Sequence, residues 1–162
     1  MPGLHATLRR SGGLDALSRR LAMPPADVAS AAARLLPPLL IRYRRLYDAA
    51  GAGLAGVRVI AELTARFGGG ELAMKLLAGA PIPPEAATGF LAGVLAPGES
   101  ADVLIAEAGA AAEMAEAMAA LLPPLNLLVG SYLTARAEAA ADGTEDIATE
   151  FERLFAGDIQ AQ

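Results

Sequence analysis

The chain contains no cysteine and only one histidine, His5. Without cysteine there is neither a disulfide framework nor a thiolate nucleophile, and the redox compartment leaves no mark. A lone histidine cannot build the His and Cys ligand sets of a zinc site, and His5 stands in an N-terminal end that reads as mobile. Sheet formers are scarce too. Six Val, six Ile and six Thr are scattered along the 162 residues, too few to build a sheet. No serine lies in a nucleophile-elbow sequence. The opening "MPGLHATLRRSGG" lacks the apolar core of a secretory signal, so a cytoplasmic protein is expected, without metal or cofactor.

What is abundant is alanine, followed by leucine. Counting glycine and leaving out tyrosine, about 62% of the residues are apolar, against a typical ~45–50%. Alanine has the highest helix propensity and lets helix axes approach closely, so the expected fold class is all-α. So much apolar surface on one domain is expected to cover something beyond its own core, such as a second subunit or an apolar small molecule. One segment, "AMAALLPPLNLLVGSYLTA" at 117–135, runs 19 residues without a charge, close to membrane-spanning length. Pro123 and Pro124 interrupt it, and each removes a backbone donor. Asn126 adds a polar side chain that lipid would not satisfy. A kinked core helix is therefore expected rather than a membrane span.

Pro, Gly and capping residues cut the chain into helical pieces near 14–22, 25–36, 38–49, 54–67, 71–79, 85–95, 100–109, 111–122, 124–141 and 145–156. Shifting the sequence by 86 positions lays "VASAAARLLPPLL" (28–40) on "MAEAMAALLPPLN" (114–126), with the five residues of "LLPPL" contiguous and identical. This predicts a multihelical array of two related units within one domain, each with a Leu-Leu-Pro-Pro kinked core helix. The first unit spans about 13–67, a Gly- and Pro-rich joint 68–84, and the second unit about 85–141. An amphipathic terminal helix follows at 145–156, with Ile147, Phe151, Leu154 and Phe155 on its apolar stripe.

Two segments carry a resemblance. "GLDALSRRLAMPPADVASAAARLLPPLL" (13–40) and "GFLAGVLAPGESADVLIAEAGAAAEMAEAMAALLPPLNLLVGSYL" (89–133) resemble the early and later parts of the YidB-like bacterial proteins, a family of unknown function. Two positions depart from its pattern: Ala22 replaces a turn glycine, and Pro-Pro replaces a single proline. The resemblance implies an all-helical bacterial protein and brings no catalytic residues.

Residues 17–36 have the outline of a DNA-reading helix-turn-helix. Reading bases needs Arg, Lys, Asn or Gln near the start of the second helix. That face offers Pro24, Pro25, Ala26, Ala29, Ser30 and Ala33, with only Ser30 and Arg34 as donors, so sequence-specific DNA binding is not expected. "GAGLAG" at 51–56 has dinucleotide-fingerprint spacing with Glu71 beyond it, but "RRLYDAA" precedes it where the motif requires a strand. A packed turn between helices is expected instead. A calcium loop from Asp142 fails, because its sixth and twelfth positions are Ile147 and Arg153. Glu107, Glu113 and Glu116 are the carboxylates that could pair across a cleft, but nothing in their spacing makes an enzyme of the chain.

Charge is unevenly divided. Residues 1–66 carry ten Arg and four acids, or +6; residues 67–162 carry three bases and fourteen acids, or −11, for the net −5. Such asymmetry can join the two halves, join two subunits, or attract an anion. The first expectation is a non-enzymatic helical interaction protein that self-associates as a homo-oligomer or meets another protein partner. The alternative is a binding module for an anionic partner, a nucleic acid or an acidic lipid surface, through Arg42, Arg44 and Arg45 in "IRYRRLY". On a helix Arg42 and Arg45 share one face, and Tyr43 and Tyr47 another. That arrangement predicts a solvated basic edge beside a buried aromatic one.

Overall fold

The computed structural model describes residues 4–109, 112–139 and Phe155. Every regular element among them is a helix: α1 (Leu4–Arg10), α2 (Gly13–Leu21), α3 (Pro25–Ala49), α4 (Gly53–Arg66), α5 (Gly69–Leu77), α6 (Pro84–Val94), α7 (Ala101–Glu107) and α8 (Ala112–Ala139). Helix α8 is the axis of the protein and packs against each of α2 to α7. Its central residues Leu121, Leu122, Leu125, Leu127, Val129 and Leu133 are fully buried. By length and composition, Glu113–Arg136 within α8 could cross a membrane, but 61% of its most apolar window is buried against the rest of this chain.

The Pro-Pro pairs do not divide their helices. The pieces expected at 25–36 and 38–49 are one helix, and so are the described parts, 112–139, of those expected at 111–122 and 124–141. A helical proline withholds an N–H from the carbonyl four residues before it. For Pro37 and Pro38 those carbonyls belong to Ala33 and Arg34; for Pro123 and Pro124 they belong to Ala119 and Ala120. All four residues are exposed, so water can donate to the freed oxygens. The flanking leucines supply the reason to stay helical: Leu35, Leu36, Leu39 and Leu40 are 3% exposed or less, as are Leu121, Leu122 and Leu125.

The N-terminal end is ordered into α1, with Leu4 and Leu8 buried. His5, expected on a mobile end, is half-buried there and its Nε2 lies 3.0 Å from the Ala29 carbonyl oxygen. Ala22 ends α2 in the left-handed region at φ 53°, ψ 40°, the position where the sequence resemblance places a glycine. The Ser18 hydroxyl fastens this turn by donating to the Met23 carbonyl at 2.5 Å. "GAGLAG" forms the turn into α4, as expected from its helical surroundings. Ala52 adopts φ 58°, ψ −166°, and the Tyr47 hydroxyl accepts from the Gly53 N–H at 3.0 Å. Gly56 lies so close to Tyr47 that a Cβ there would stand 2.7 Å from the Tyr47 carbonyl oxygen.

Of the expected terminal helix, 145–156, only Phe155 falls among the described residues, and the failed calcium loop at Asp142 lies outside them. Phe155 is helical and fully buried, its ring edge-on to Tyr47 with centroids 5.7 Å apart.

Candidate functional site

In α3 the positions Leu35, Leu39 and Arg42 follow the i, i+4, i+7 spacing of one helix face. The two leucines are fully buried, and Arg42, at 1% exposure, is buried with them. A buried guanidinium requires partners for its donors. The turn after α6 supplies Glu99, to which Arg42 donates through Nε at 3.2 Å and Nη2 at 3.0 Å, a forked pairing. The end of α7 supplies Glu107, ion-paired with Arg42 Nη1, and the same nitrogen donates to the Pro38 carbonyl at 3.2 Å. Arg45 approaches the same Glu99 carboxylate at 3.9 Å. The face shared by Arg42 and Arg45 is thus where the helical spacing put it, but Arg42 lies inside the protein rather than on a solvated edge.

The electrostatics follow from this cage. The Arg42 hydrogen bond holds the Glu99 carboxyl below the usual carboxylate range against the opposing effect of burial, assisted by the Ala96 N–H at 3.2 Å and the charges of Arg42 and Arg45. Burial by itself would lower the Arg42 pKa. The hydrogen bonds and charges of Glu99 and Glu107 outweigh it, and the net direction is upward. Arg44 faces away, 40% exposed, and pairs with Asp48 one turn on at 3.7 Å. The exposed basic edge therefore consists of Arg44 and Arg45.

The next residue of α3 carries a second polar group into the core. The fully buried Tyr43 hydroxyl donates to Asn126 Oδ1 on α8 at 2.6 Å, and burial pushes the phenol well above its ordinary value. The Asn126 amide nitrogen and the Ser131 hydroxyl are buried without a hydrogen-bond partner among the described residues.

The other sequence candidates do not converge. Arg34 donates to the Gly109 carbonyl at 3.1 Å, and Pro24, Pro25, Ala26, Ser30 and Ala33 are exposed without base-reading chemistry. Glu113 and Glu116 are exposed on α8, while Glu107 belongs to Arg42. Among the described residues no three His, Cys, Asp or Glu side chains are placed to hold a metal ion. Sequence reasoning missed Glu99 and its turn. It noticed Asn126 as the polar residue in an apolar run, yet not that Tyr43 was its partner. Comparison with known proteins finds no family model, no curated protein and no solved structure that matches this chain.

Proposed function

We propose that the protein is a non-enzymatic helical interaction protein that assembles with further copies of itself through opposite surface charge. The observation that carries this reading is the unpaired charge on the surface. Arg9, Arg10, Arg19, Arg58 and Arg66 are exposed on α1, α2 and α4 and have no ion pair among the described residues. Glu85, Asp102, Glu113 and Glu116 are exposed on α6, α7 and the start of α8, equally unpaired there. Residues of one sign on one copy can meet those of the other sign on the next. Apolar contact plays the smaller part, because among the described residues the exposed large hydrophobic ones are Leu54, Met74 and Val103. The apolar excess of the sequence goes instead into the shell around α8. The resemblance to the YidB-like bacterial proteins brings no catalytic residues to this reading.

Light scattering at rising salt tests the proposal. The expected result is a dimer or larger species at low ionic strength that dissociates as salt screens the charges. A strict monomer at high micromolar concentration in low salt overturns it.

A further inference from the structure

Arg42 and Arg45 close on a single carboxylate, Glu99, from α3. A forked guanidinium with a second guanidinium beside it is the arrangement that holds a phosphate group. The occupant here comes from the chain itself. Glu99 and Glu107 sit near the two ends of a short segment bounded by Gly98 at φ 79° and Gly109 at φ 74°, with nothing within 4 Å of where a Cβ would stand on either glycine, although the Gly109 carbonyl accepts from Arg34. Glycine carries such angles without strain and gives the segment a pivot at each end. Between the pivots only Leu104 and Ile105 of α7 are buried, and Val103 is 46% exposed. Arg45 and the glutamates are the accessible members of the cluster, with 56% of the Arg45 side chain and 14% and 46% of Glu99 and Glu107 exposed against 1% for Arg42. A solute can therefore approach the carboxylates that hold the arginine. Stability alone gives little reason for this cluster, since apolar side chains of similar volume commonly stabilise a protein as well as a buried ion pair.

We infer that Arg42 and Arg45 form a binding site for a phosphate-bearing solute, occupied in the resting protein by the carboxylates of Glu99 and Glu107. Ligand entry displaces the 98–109 segment by rotation at the two glycines, and the phosphate oxygens take the donors that the carboxylates release. This goes beyond self-association and stands independently of it.

Inorganic pyrophosphate is the probe. Glu99→Gln/Glu107→Gln keeps the size of both side chains and removes their charge. The double variant is expected to bind pyrophosphate at least tenfold more tightly than the unaltered protein by calorimetry, and adding Arg42→Lys, which cannot form the fork, is expected to abolish the gain. In the unaltered protein, millimolar pyrophosphate is expected to speed amide hydrogen exchange in residues 98–109 while leaving α8 protected. That second measurement decides the matter if the double variant does not fold. Unchanged affinity in a folded double variant, a gain that survives Arg42→Lys, or exchange in 98–109 that does not respond to pyrophosphate overturns the inference.

Discussion

Two alanines occupy backbone conformations that side chains resist. Ala22 is left-handed at φ 53°, and Ala52, at φ 58° and ψ −166°, lies in a region used almost only by glycine. Ala52→Gly is expected to stabilise the protein by about 1 kcal/mol after the added freedom of the unfolded chain is set against the relieved strain. Calorimetry should show the melting temperature rise by roughly 2–4 °C; a fall would mean that the turn is unstrained. Tyr43 and Asn126 give a different test. Tyr43→Phe leaves the buried amide without its donor and is expected to cost roughly 1–3 kcal/mol in urea unfolding. Combining it with Asn126→Leu is expected to recover most of that loss, because the unpaired amide nitrogen goes as well. Acid acts on Glu99. Its folded pKa lies below the unfolded value, so its stabilisation is present above the usual carboxylate range and disappears as pH falls through the lower, folded value. Tyr43 acts at the alkaline end. Its folded pKa is raised, so the unfolded chain loses the phenolic proton first and stability falls as pH climbs past the ordinary phenol value. Urea midpoints measured across pH should show both slopes, the first lost in Glu99→Gln and the second in Tyr43→Phe.

Helices were more legible in the sequence than their joins. Alanine content and the Gly and Pro breaks marked α2, α4, α5, α6 and α7 within a few residues because those signals act locally, although none of these helices has a side-chain N-cap hydrogen bond. The Pro-Pro pairs misled because a missing backbone donor is read along the chain, whereas its cost depends on whether water reaches the freed carbonyl. The repeat of "LLPPL" is a better guide to packing: Leu39 and Leu125 occupy matching places in it and both are fully buried. Each Leu→Ala exchange is expected to cost about 2–5 kcal/mol, as for other buried leucines, and the two losses should be similar because α3 and α8 each pack against six other helices. Denaturant titration of the pair checks this; a surface-like loss below about 0.5 kcal/mol at either site would contradict the burial. The ion-pair cluster was half legible. Helix spacing placed Arg42 on the leucine face, but Glu99 lies 57 residues away on an irregular turn, and no local pattern connects the two.

At the scale of the molecule, the division of charge in the sequence acts in two places. Within the protein, α3 of the basic half grips Glu99 and Glu107 of the acidic half. On the surface, Arg9, Arg10, Arg19, Arg58 and Arg66 and, of the other sign, Glu85, Asp102, Glu113 and Glu116 have no ion pair among the described residues, and it is these that the proposed assembly brings together between copies. Reversing Arg9, Arg10 and Arg19 to glutamate is expected to abolish low-salt assembly without lowering the melting temperature by more than a few degrees, since none of the three is buried. A variant that assembles as before would remove those arginines from the interface.

The position of α8 in the chain also has a consequence during synthesis. Helices α1 to α7 leave the ribosome before the one that most of them pack against, and translation adds only about 5–20 residues each second. For several seconds the nascent polypeptide can gather helices on α3 but must leave the leucine faces meant for α8 uncovered, so its exposure to chaperones and proteases lasts until residues 112–139 emerge.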